Sequence, residues 1–370
     1  MLAAYTGSRQ DRPPVAPEFW YYLPARLLGI SMIELELEVP HWQALQHTFR
    51  HYECEGWGIV APANPAYAAW TKTTCREQPE GRLEETTSLY SAGRTLTCRR
   101  LLDPREPSWM VERFVKDFEA DWPAYAPIAL QPPDELDWRP VNQALAAVGE
   151  DYLLEVYLGD AFIDFAGGQR EGGFEQVIQD LTDRPAEMAA LQACYIAYLT
   201  EKTRAVFRHT AARSVFIGSI WSSLSLLSPK LWRRWDRPVL EAVVRAAHES
   251  RGLVHHHFHG RCRKLLPVLA TLGLDCICPF ERPPGGDVTD LSEVAALLNG
   301  RTAFNGNVST VTALIDGTPA DVRREVREIL AAFAGSPRLI VGTGDQVGAE
   351  TPDDNIWALI EEVKAVGRSA

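Results

Sequence analysis

The chain is predicted to be an α/β protein, a (β/α)8 TIM barrel with an antiparallel hairpin insertion near residues 86–101. Two observations predict this fold. Short β-branched runs alternate with longer helical patterns, most clearly in the second half of the chain, which is typical of βα units on a parallel sheet. Eight candidate strands can be identified, and eight is the number that closes such a barrel. We expect one domain over residues 1–370, with a doubly wound open sheet as the alternative fold.

The candidate strands are short apolar runs that contain many β-branched residues. They are Val15–Phe19, Trp57–Val60, Leu153–Tyr157, Ser214–Ser219, Leu253–His257, Leu274–Cys278, Thr302–Gly306 and Arg338–Gly342. Helical patterns follow the last five, over Pro229–Ser250, Arg261–Leu272, Leu291–Leu298, Pro319–Phe333 and Pro352–Val366. A further segment, Thr86–Leu101, alternates around Ala92 and Gly93, which predicts the antiparallel hairpin near a rim of the barrel.

The composition is typical of a soluble globular protein, with 46% apolar and 23% charged residues. Asp and Glu together number 49 against 37 for Lys and Arg, so the formal net charge is −12, which argues against binding to a nucleic-acid backbone. No apolar run reaches the roughly 18 residues of a membrane helix. The N-terminal residues lack the basic-then-apolar order of a signal peptide, and the seven cysteines are not spaced as a disulfide framework. We therefore expect a cytoplasmic protein that binds neither membranes nor nucleic acid.

Polar residues follow several of the predicted strands, and in barrels the reactive groups lie at the C-terminal ends of strands. The fifth predicted strand leads into four histidines within five residues. His257 and His259 are two apart, so they share a side if the strand continues. Segments that contain Glu281 and Asp345 follow later strands. Two imidazoles with one or two carboxylates at one barrel mouth form a ligand set for zinc or a similar divalent ion. Metal-free substrate binding and a structural role stay open as alternatives.

Other residues in the same regions have simpler interpretations. His255 and His256 are expected to be strand or packing residues. Cys276 and Cys278 share one face of a strand and are expected to be small buried hydrophobic residues. Trp221 follows a predicted strand, where it either stacks on a planar ligand or packs at the rim. The sequence contains no G-x-G-x-x-G, Walker or G-x-S-x-G motif, which argues against dinucleotide, P-loop and serine-hydrolase sites of those types.

Three segments in the second half of the chain carry a family resemblance. They read HHFHGRCRKLLPVLATLGLDCICPFERPPGGDVTDLSEV, NGNVSTVTALIDGTPADVRREVREIL and LIVGTGDQVGAETPDDNIWALIEEV. In their order and spacing, from about Pro185 to Val366, they resemble the uroporphyrinogen decarboxylase superfamily. The first half resembles it more loosely, through DRPPVAPEFW and the hairpin that ends in RTLTCRR. The resemblance independently implies a (β/α)8 barrel, and a homodimer, since barrels of this superfamily are often dimers.

The resemblance also distinguishes between two branches. The porphyrinogen decarboxylases carry an R-Q-A-G-R signature whose arginines bind the substrate carboxylates, whereas the matching residues 12–22 here read RPPVAPEFWYY. With no arginine after Arg12, the guanidinium partners of such a substrate are missing. The other branch contains zinc-dependent, corrinoid-linked methyltransferases with H-x-C-G at the fifth strand and a late cysteine at the eighth. In this chain His257 takes the histidine place, His259 the first cysteine place and Asp345 the late cysteine place.

The resulting expectation is a metal-dependent enzyme similar to the methyltransferases or demethylases of this superfamily. The resemblance implies zinc or another divalent metal, a small-molecule substrate, and a corrinoid carried by a partner protein. The metal ligands are expected to be His257, His259 and Asp345. The catalytic residues are expected to be Glu281, as fourth ligand or acid/base, and His259. The substrate pocket is expected to be lined by Trp221, Tyr157, Asn307 and Gln346.

Two other functions stay open at this point. The first is a metal-free decarboxylase or other lyase acting on a small carboxylate or a porphyrin-like substrate, in which the imidazoles stabilise or protonate a carbanion. The second is a non-catalytic barrel that binds a ligand without turning it over. Metal content and the behaviour of chelator-treated protein distinguish these functions from the metal-dependent one.

Overall fold

The computed structural model describes residues 1–298 and 300–366. In chain order, the strands of this part are β1 Val15–Glu18, β2 Trp57–Val60, β3 Thr71–Glu77, β4 Leu83–Ser91, β5 Arg94–Leu102, β6 Trp109–Glu112, β7 Leu153–Asp160, β8 Ser214–Ser219, β9 Leu253–Phe258, β10 Cys276–Pro279, β11 Ala303–Val308 and β12 Leu339–Gln346. Each strand predicted from the sequence is present, as β1, β2 and β7 to β12, with ends that differ by a few residues.

The α-helices of the same ranges are α1 Leu2–Thr6, α2 Tyr22–Leu28, α3 Met32–Leu37, α4 His41–His51, α5 Pro65–Trp70, α6 Phe118–Ala129, α7 Arg139–Val148, α8 Phe162–Gln169, α9 Gly173–Asp183, α10 Pro185–His209, α11 Pro229–Trp235, α12 Arg237–Glu249, α13 Leu266–Leu269, α14 Leu291–Leu298, α15 Pro319–Ala332 and α16 Asp353–Val366. Across these ranges, no helix combines the length and the apolar character needed to cross a membrane.

The parallel strands are arranged as a barrel, in the hydrogen-bonded order β1-β12-β11-β10-β9-β8-β7-β2. Strands β8 and β11 are buried along their whole length, because one face of each lines the lumen and the other packs against outer helices. The predicted (β/α)8 barrel is confirmed. Since all these strands run in one direction, the residues at their C-terminal ends meet at one mouth of the barrel.

A side chain joins the two strands at the ends of this order. Glu55 lies two residues before the start of β2, and its Oε2 accepts a hydrogen bond of 3.0 Å from the backbone N–H of Val15 in β1. Arg12 donates to the other carboxylate oxygen at 2.5 Å. Burial alone would raise the pKa of Glu55, but the hydrogen bonds from Arg12 and Val15 outweigh it and the pKa is lowered. An ionised carboxylate therefore bridges β1 and β2 near the N-terminal end of the barrel.

The predicted hairpin is confirmed and proves to be the centre of a larger sheet. Strands β4 and β5 pair antiparallel, and between them Ala92 and Gly93 have φ values of 49° and 73°. Both values lie in the left-handed region that tight hairpin turns require. The full sheet has the order β3-β4-β5-β6. The sequence did not predict β3, because this strand is exposed on both faces and lacks apolar alternation.

Two predicted helices are wrong in detail. The pattern over Pro229–Ser250 predicted one helix, but α11 and α12 meet at the buried Asp236, whose Oδ1 accepts a hydrogen bond of 3.0 Å from the N–H of Ile163. The pattern over Arg261–Leu272 predicted another, but only a 3-10 turn and the short α13 form there. A helix can accommodate Pro267 only in its first turn, so α13 begins at Leu266, directly before that proline, rather than at Arg261.

We predict that Asp236→Asn stabilises the protein increasingly as pH rises. Burial raises the pKa of Asp236 to about 8, so the folded protein retains a proton that the unfolded chain has already lost above its ordinary pKa. Its contribution to the free energy of unfolding is complete below that ordinary value and is lost as pH rises through the folded-state pKa. Urea denaturation at about pH 5 and about pH 8 measures the difference. The exposed Asp183→Asn is the control, and a pH-independent difference for Asp236→Asn would contradict the prediction.

Candidate functional site

The two predicted histidines converge at the C-terminal end of β9. His257 lies in the strand, and His259 follows it with its backbone N–H bonded to Ser219 O at 3.2 Å. Their Nε2 atoms are 2.6 Å apart, as expected for residues two apart on an extended chain. Two imidazole nitrogens at this separation share a proton, one ring donating and the other accepting.

Two carboxylates approach the other nitrogen of His259. Its Nδ1 lies 3.0 Å from Glu281 Oε1 and 3.6 Å from Asp345 Oδ2, and the same Glu281 oxygen accepts a hydrogen bond from the N–H of Gly260 at 2.8 Å. We call His259, Glu281 and Asp345 the outer cluster. Burial opposes a charged imidazole, but Glu281 and Asp345 outweigh it and raise the pKa of His259 to about 9. Without a metal, the outer cluster therefore holds a proton on His259.

A second group of potential ligands lies on the other side of His257. Its Nδ1 is 3.0 Å from Cys278 Sγ and 3.9 Å from Glu18 Oε2, and all three side chains are buried. We call Glu18, His257 and Cys278 the inner cluster. Burial raises the pKa of Glu18 to about 8 and lowers that of His257 well below its ordinary value. Both shifts favour the neutral forms, as expected for titratable groups that lack a compensating charge.

The structure divides the predicted metal ligands between these two groups. His259 and Asp345 are in the outer cluster together with Glu281, the predicted fourth ligand or acid/base. His257 belongs to the inner cluster and touches the outer one only through His259. Sequence reasoning missed Glu18, although a carboxylate at the end of the apolar strand β1 was a usable signal. Whether any of these residues binds a metal stays a prediction.

His255 has more contacts than the packing role predicted for it. Its side chain is fully buried, with Nδ1 2.7 Å from Glu155 Oε2 and Nε2 3.0 Å from Cys278 Sγ. Cys278 was expected to be a buried hydrophobic residue, and it is buried, but its sulfur lies between the imidazoles of His255 and His257. His256 points to the opposite face, where Nδ1 lies 3.1 Å from Ile217 O.

The predicted substrate residue Tyr157 is linked to the inner cluster through the ring of Phe216. Its ring centroid is 6.3 Å from that of Phe216, which is 5.8 Å from His257. Tyr157 also lines a cavity of about 610 Å³ together with His41 and Ile59. Its hydroxyl donates to Asp160 Oδ2 at 2.7 Å. The cavity therefore opens beside the mouth on the side of β2 and β7.

Two other predicted substrate residues, Asn307 and Gln346, lie next to the segments that carry the carboxylates of the outer cluster. Asn307 is buried, and both ends of its amide are used by the loop that carries Glu281, through Phe280 O at 2.7 Å and Arg282 Nε at 3.3 Å. The backbone N–H of Gln346 donates to Asp345 Oδ1 at 2.6 Å. Among the described residues, the buried Oε1 of Gln346 has no hydrogen-bond partner. Asn307 thus positions the loop that carries Glu281. Of these two residues, Gln346 has the amide oxygen that can still accept a hydrogen bond from a ligand.

Trp221 is held by its neighbours outside both clusters. Its ring lies over Gly167, where an added Cβ would come within 2.6 Å, and 6.1 Å from the ring of Phe174. The Asp164 carboxylate accepts hydrogen bonds from the backbone N–H groups of Ile220, Trp221 and Ser222 at 2.6–3.1 Å. A single buried carboxylate therefore fixes the loop after β8.

The region that carries most of these residues matches a known protein family. The model of the uroporphyrinogen decarboxylase (URO-D) family matches residues 162–366, more than half of the chain. The chain belongs to the uroporphyrinogen decarboxylase family. The resemblance seen in the sequence is thereby confirmed, and the matched residues include β8 to β12 with His257, Cys278 and the whole outer cluster. Glu18, in β1, lies outside them.

Two curated members of the uroporphyrinogen decarboxylase family are similar to this chain over part of its length. The uroporphyrinogen decarboxylase of Chromohalobacter salexigens is 27% identical over 181 residues, 48% of each protein. That of Paraburkholderia phytofirmans is 28% identical over 105 residues, 28% of this chain and 26% of the relative. The chain thus matches about half or less of the length of these relatives. A methyltransferase from Methanosarcina mazei has the same fold, with a TM-score of 0.67 and 14% identity over 98% of this chain and 97% of that protein.

We predict that Asp164→Ala lowers the free energy of unfolding by about 3 kcal/mol, because three backbone N–H groups lose a buried charged acceptor. Asp164→Asn, which keeps one carbonyl acceptor, is expected to lose less. Urea denaturation followed by tryptophan fluorescence measures both variants. A loss below about 0.5 kcal/mol for Asp164→Ala would show that water replaces the carboxylate without cost.

Proposed function

We propose that this member of the uroporphyrinogen decarboxylase family is a metal-dependent, methyltransferase-like enzyme whose outer cluster holds a divalent ion. The observation that supports this is the convergence of three side chains on His259 at the C-terminal mouth of the barrel. His257 lies 2.6 Å from its Nε2, and Glu281 and Asp345 lie 3.0 and 3.6 Å from its Nδ1. Active sites of barrels of this kind lie at that mouth.

The donor set fits such an ion. Ligands about 2.0–2.2 Å from one tetrahedral metal lie about 3.3–3.6 Å apart. His259 Nδ1 is 3.0 Å from Glu281 and 3.6 Å from Asp345, so side-chain shifts of a few tenths of an ångström bring these atoms onto one ion. Imidazole and carboxylate suit zinc, iron or manganese. Such a metal, when bound, supplies Lewis-acid polarisation of the substrate atom that carries the methyl group. His257 supports the arrangement by holding His259 from its Nε2 side.

The mouth beside β1 is unsuited to a polycarboxylate. The residues that follow Glu18 are Phe19, Trp20 and Tyr21, and Trp20 donates from Nε1 to Glu18 Oε2 at 3.2 Å. Arg12 precedes β1 and is paired with Glu55 near the opposite end of the barrel. A porphyrinogen carboxylate at this position would therefore meet acidic and aromatic side chains rather than guanidinium groups. This favours methyl transfer over porphyrinogen decarboxylation.

The proposed substrate is a small molecule that enters the cavity lined by Tyr157. The wall of this cavity is formed mainly by aromatic and aliphatic side chains, with Glu36, Glu38 and His41 as ionisable groups. Gln346, next to Asp345, supplies an amide to the other side of the mouth. The methyl group is proposed to be exchanged with a corrinoid carried by a partner protein, in keeping with the methyltransferase fold of the Methanosarcina mazei protein.

One observation favours a second candidate, a metal-free carboxy-lyase. The imidazole of His259 lies between the carboxylates of Glu281 and Asp345, an arrangement that retains a proton and can deliver it to a carbanion. The curated relatives are named as decarboxylases. In this candidate, chelator-treated protein keeps its full ligand binding and turnover.

We predict that the purified protein, prepared without a histidine tag, contains about one more zinc or iron per chain than His259→Ala, because the outer cluster holds that ion. His259→Ala is expected to lose this metal because it removes the nitrogen that faces both carboxylates, and Asp345→Asn to bind it more weakly. Elemental analysis measures the content, and the exposed His47→Ala is the matched control. If the wild-type protein neither contains nor takes up a divalent metal, the proposal is wrong and the metal-free lyase is favoured.

A further inference from the structure

We propose that the inner cluster of Glu18, His257 and Cys278 is a second cation site, which takes a thiophilic divalent ion such as zinc through the Cys278 sulfur. This site is distinct from the outer cluster in its ligands and does not depend on the proposed methyl transfer. The inner cluster also contains a thiol, that of Cys278 in β10, whereas the outer cluster has none.

The three side chains reach one point from opposite walls of the lumen. His257 and Cys278 are direct partners in the ladder between β9 and β10. Glu18 lies in β1, which is three strands from β10 and four from β9 in the barrel order. Their ligand atoms lie within 4.8 Å of one another, with 3.0 Å from His257 Nδ1 to Cys278 Sγ and 3.9 Å to Glu18 Oε2. Nitrogen, oxygen and sulfur bonds to one zinc, at about 2.0–2.3 Å, place ligand atoms about 3.3–3.8 Å apart.

Glu18 provides an independent indication of a missing ligand. Its side chain is 1% exposed, and among the described residues its Oε1 has no hydrogen-bond partner. The other oxygen accepts from Trp20 Nε1. A buried carboxylate oxygen without a partner costs free energy unless a proton, a water or a cation occupies its lone pairs. The oxygen nearest His257 Nδ1 is Oε2, at 3.9 Å. A cation held between Glu18, His257 and Cys278 by both oxygens of this carboxylate gives Oε1 the partner it lacks.

His255 and Glu155 hold the Cys278 sulfur in position from the side away from His257. His255 lies 3.0 Å from Cys278 Sγ through Nε2 and 2.7 Å from Glu155 Oε2 through Nδ1. The Tyr5 hydroxyl donates to the same Glu155 oxygen at 3.5 Å. Carboxylate–histidine pairs of this kind orient ligands and balance their charge at metal sites. Here Glu155 fixes the ring of His255, and that ring fixes the direction of the Cys278 side chain.

The two clusters differ in the ions they favour. The outer cluster offers one nitrogen and two carboxylates, whereas the inner cluster replaces one carboxylate by a thiolate and excludes solvent. Thiolate selects zinc, cobalt and similar ions over manganese or magnesium. His257 stands between the clusters, with Nδ1 facing the inner one and Nε2 facing His259. Occupation of the inner cluster therefore fixes the ring that supports His259.

Cobalt(II) provides the test, because a cobalt–thiolate bond gives a charge-transfer absorption in the near ultraviolet that nitrogen and oxygen ligands do not give. Metal-free, full-length protein is titrated with cobalt(II) alone. We predict a charge-transfer band in the wild type, its loss in Cys278→Ser, and its retention in Asp345→Asn. Cys276→Ser is the matched control, since Cys276 is buried on the same face of β10 but does not contact His257, and it is expected to keep the band.

The outcomes separate this inference from the proposed function. Cobalt that binds the wild type without a charge-transfer band, or a band that survives Cys278→Ser, overturns the inner site and leaves the outer one standing. No cobalt binding at all overturns both. If Cys278→Ser does not fold, Glu18→Gln replaces it: the inner site predicts that the band persists but needs at least about tenfold more cobalt for half-saturation. An unchanged titration of Glu18→Gln overturns the inference.

Discussion

The lumen of this barrel contains a row of buried ionisable side chains that have to satisfy one another, and much of the candidate site depends on that constraint. Water is excluded there, so each charge or hydrogen-bonding group needs a partner within the protein. The contacts form a continuous chain from Glu155 through His255, Cys278 and His257 to His259. Each ring is therefore oriented by the group below it, and the orientation of His259 at the mouth is determined from inside the barrel.

Much of the fold followed from local patterns. The strands of the barrel are apolar runs because both of their faces are buried, and the hairpin was identifiable from Ala92-Gly93 between two alternating segments. Elements without such a pattern were missed. Strand β3 is exposed on both faces, and the division between α11 and α12 depends on Asp236, whose partner Ile163 is 73 residues away in the chain.

The candidate site could be predicted only in part from the sequence, for a related reason. Alternation along one strand predicts that His257 and His259 share a side, because that relation is local. The position of Glu18 relative to His257 is not local, since it depends on the tilt and stagger of strands across the whole barrel. The same dependence explains why Asp345 faces His259 rather than His257. The ligand types could thus be named from the sequence, whereas their grouping required the three-dimensional structure.

The bridge between β1 and β2 has a mechanical consequence for the lumen. The His257–Cys278 spacing is fixed by the register of two adjacent, hydrogen-bonded strands. Glu18 belongs instead to β1, one of the two end strands of the order, which is tied to the β2 side by the carboxylate of Glu55. A side-chain tie is more compliant than a backbone ladder. The barrel is therefore closed at this seam by one side chain, and the position of Glu18 across the lumen from His257 depends on the ladder that joins β1 to β12 on its other side.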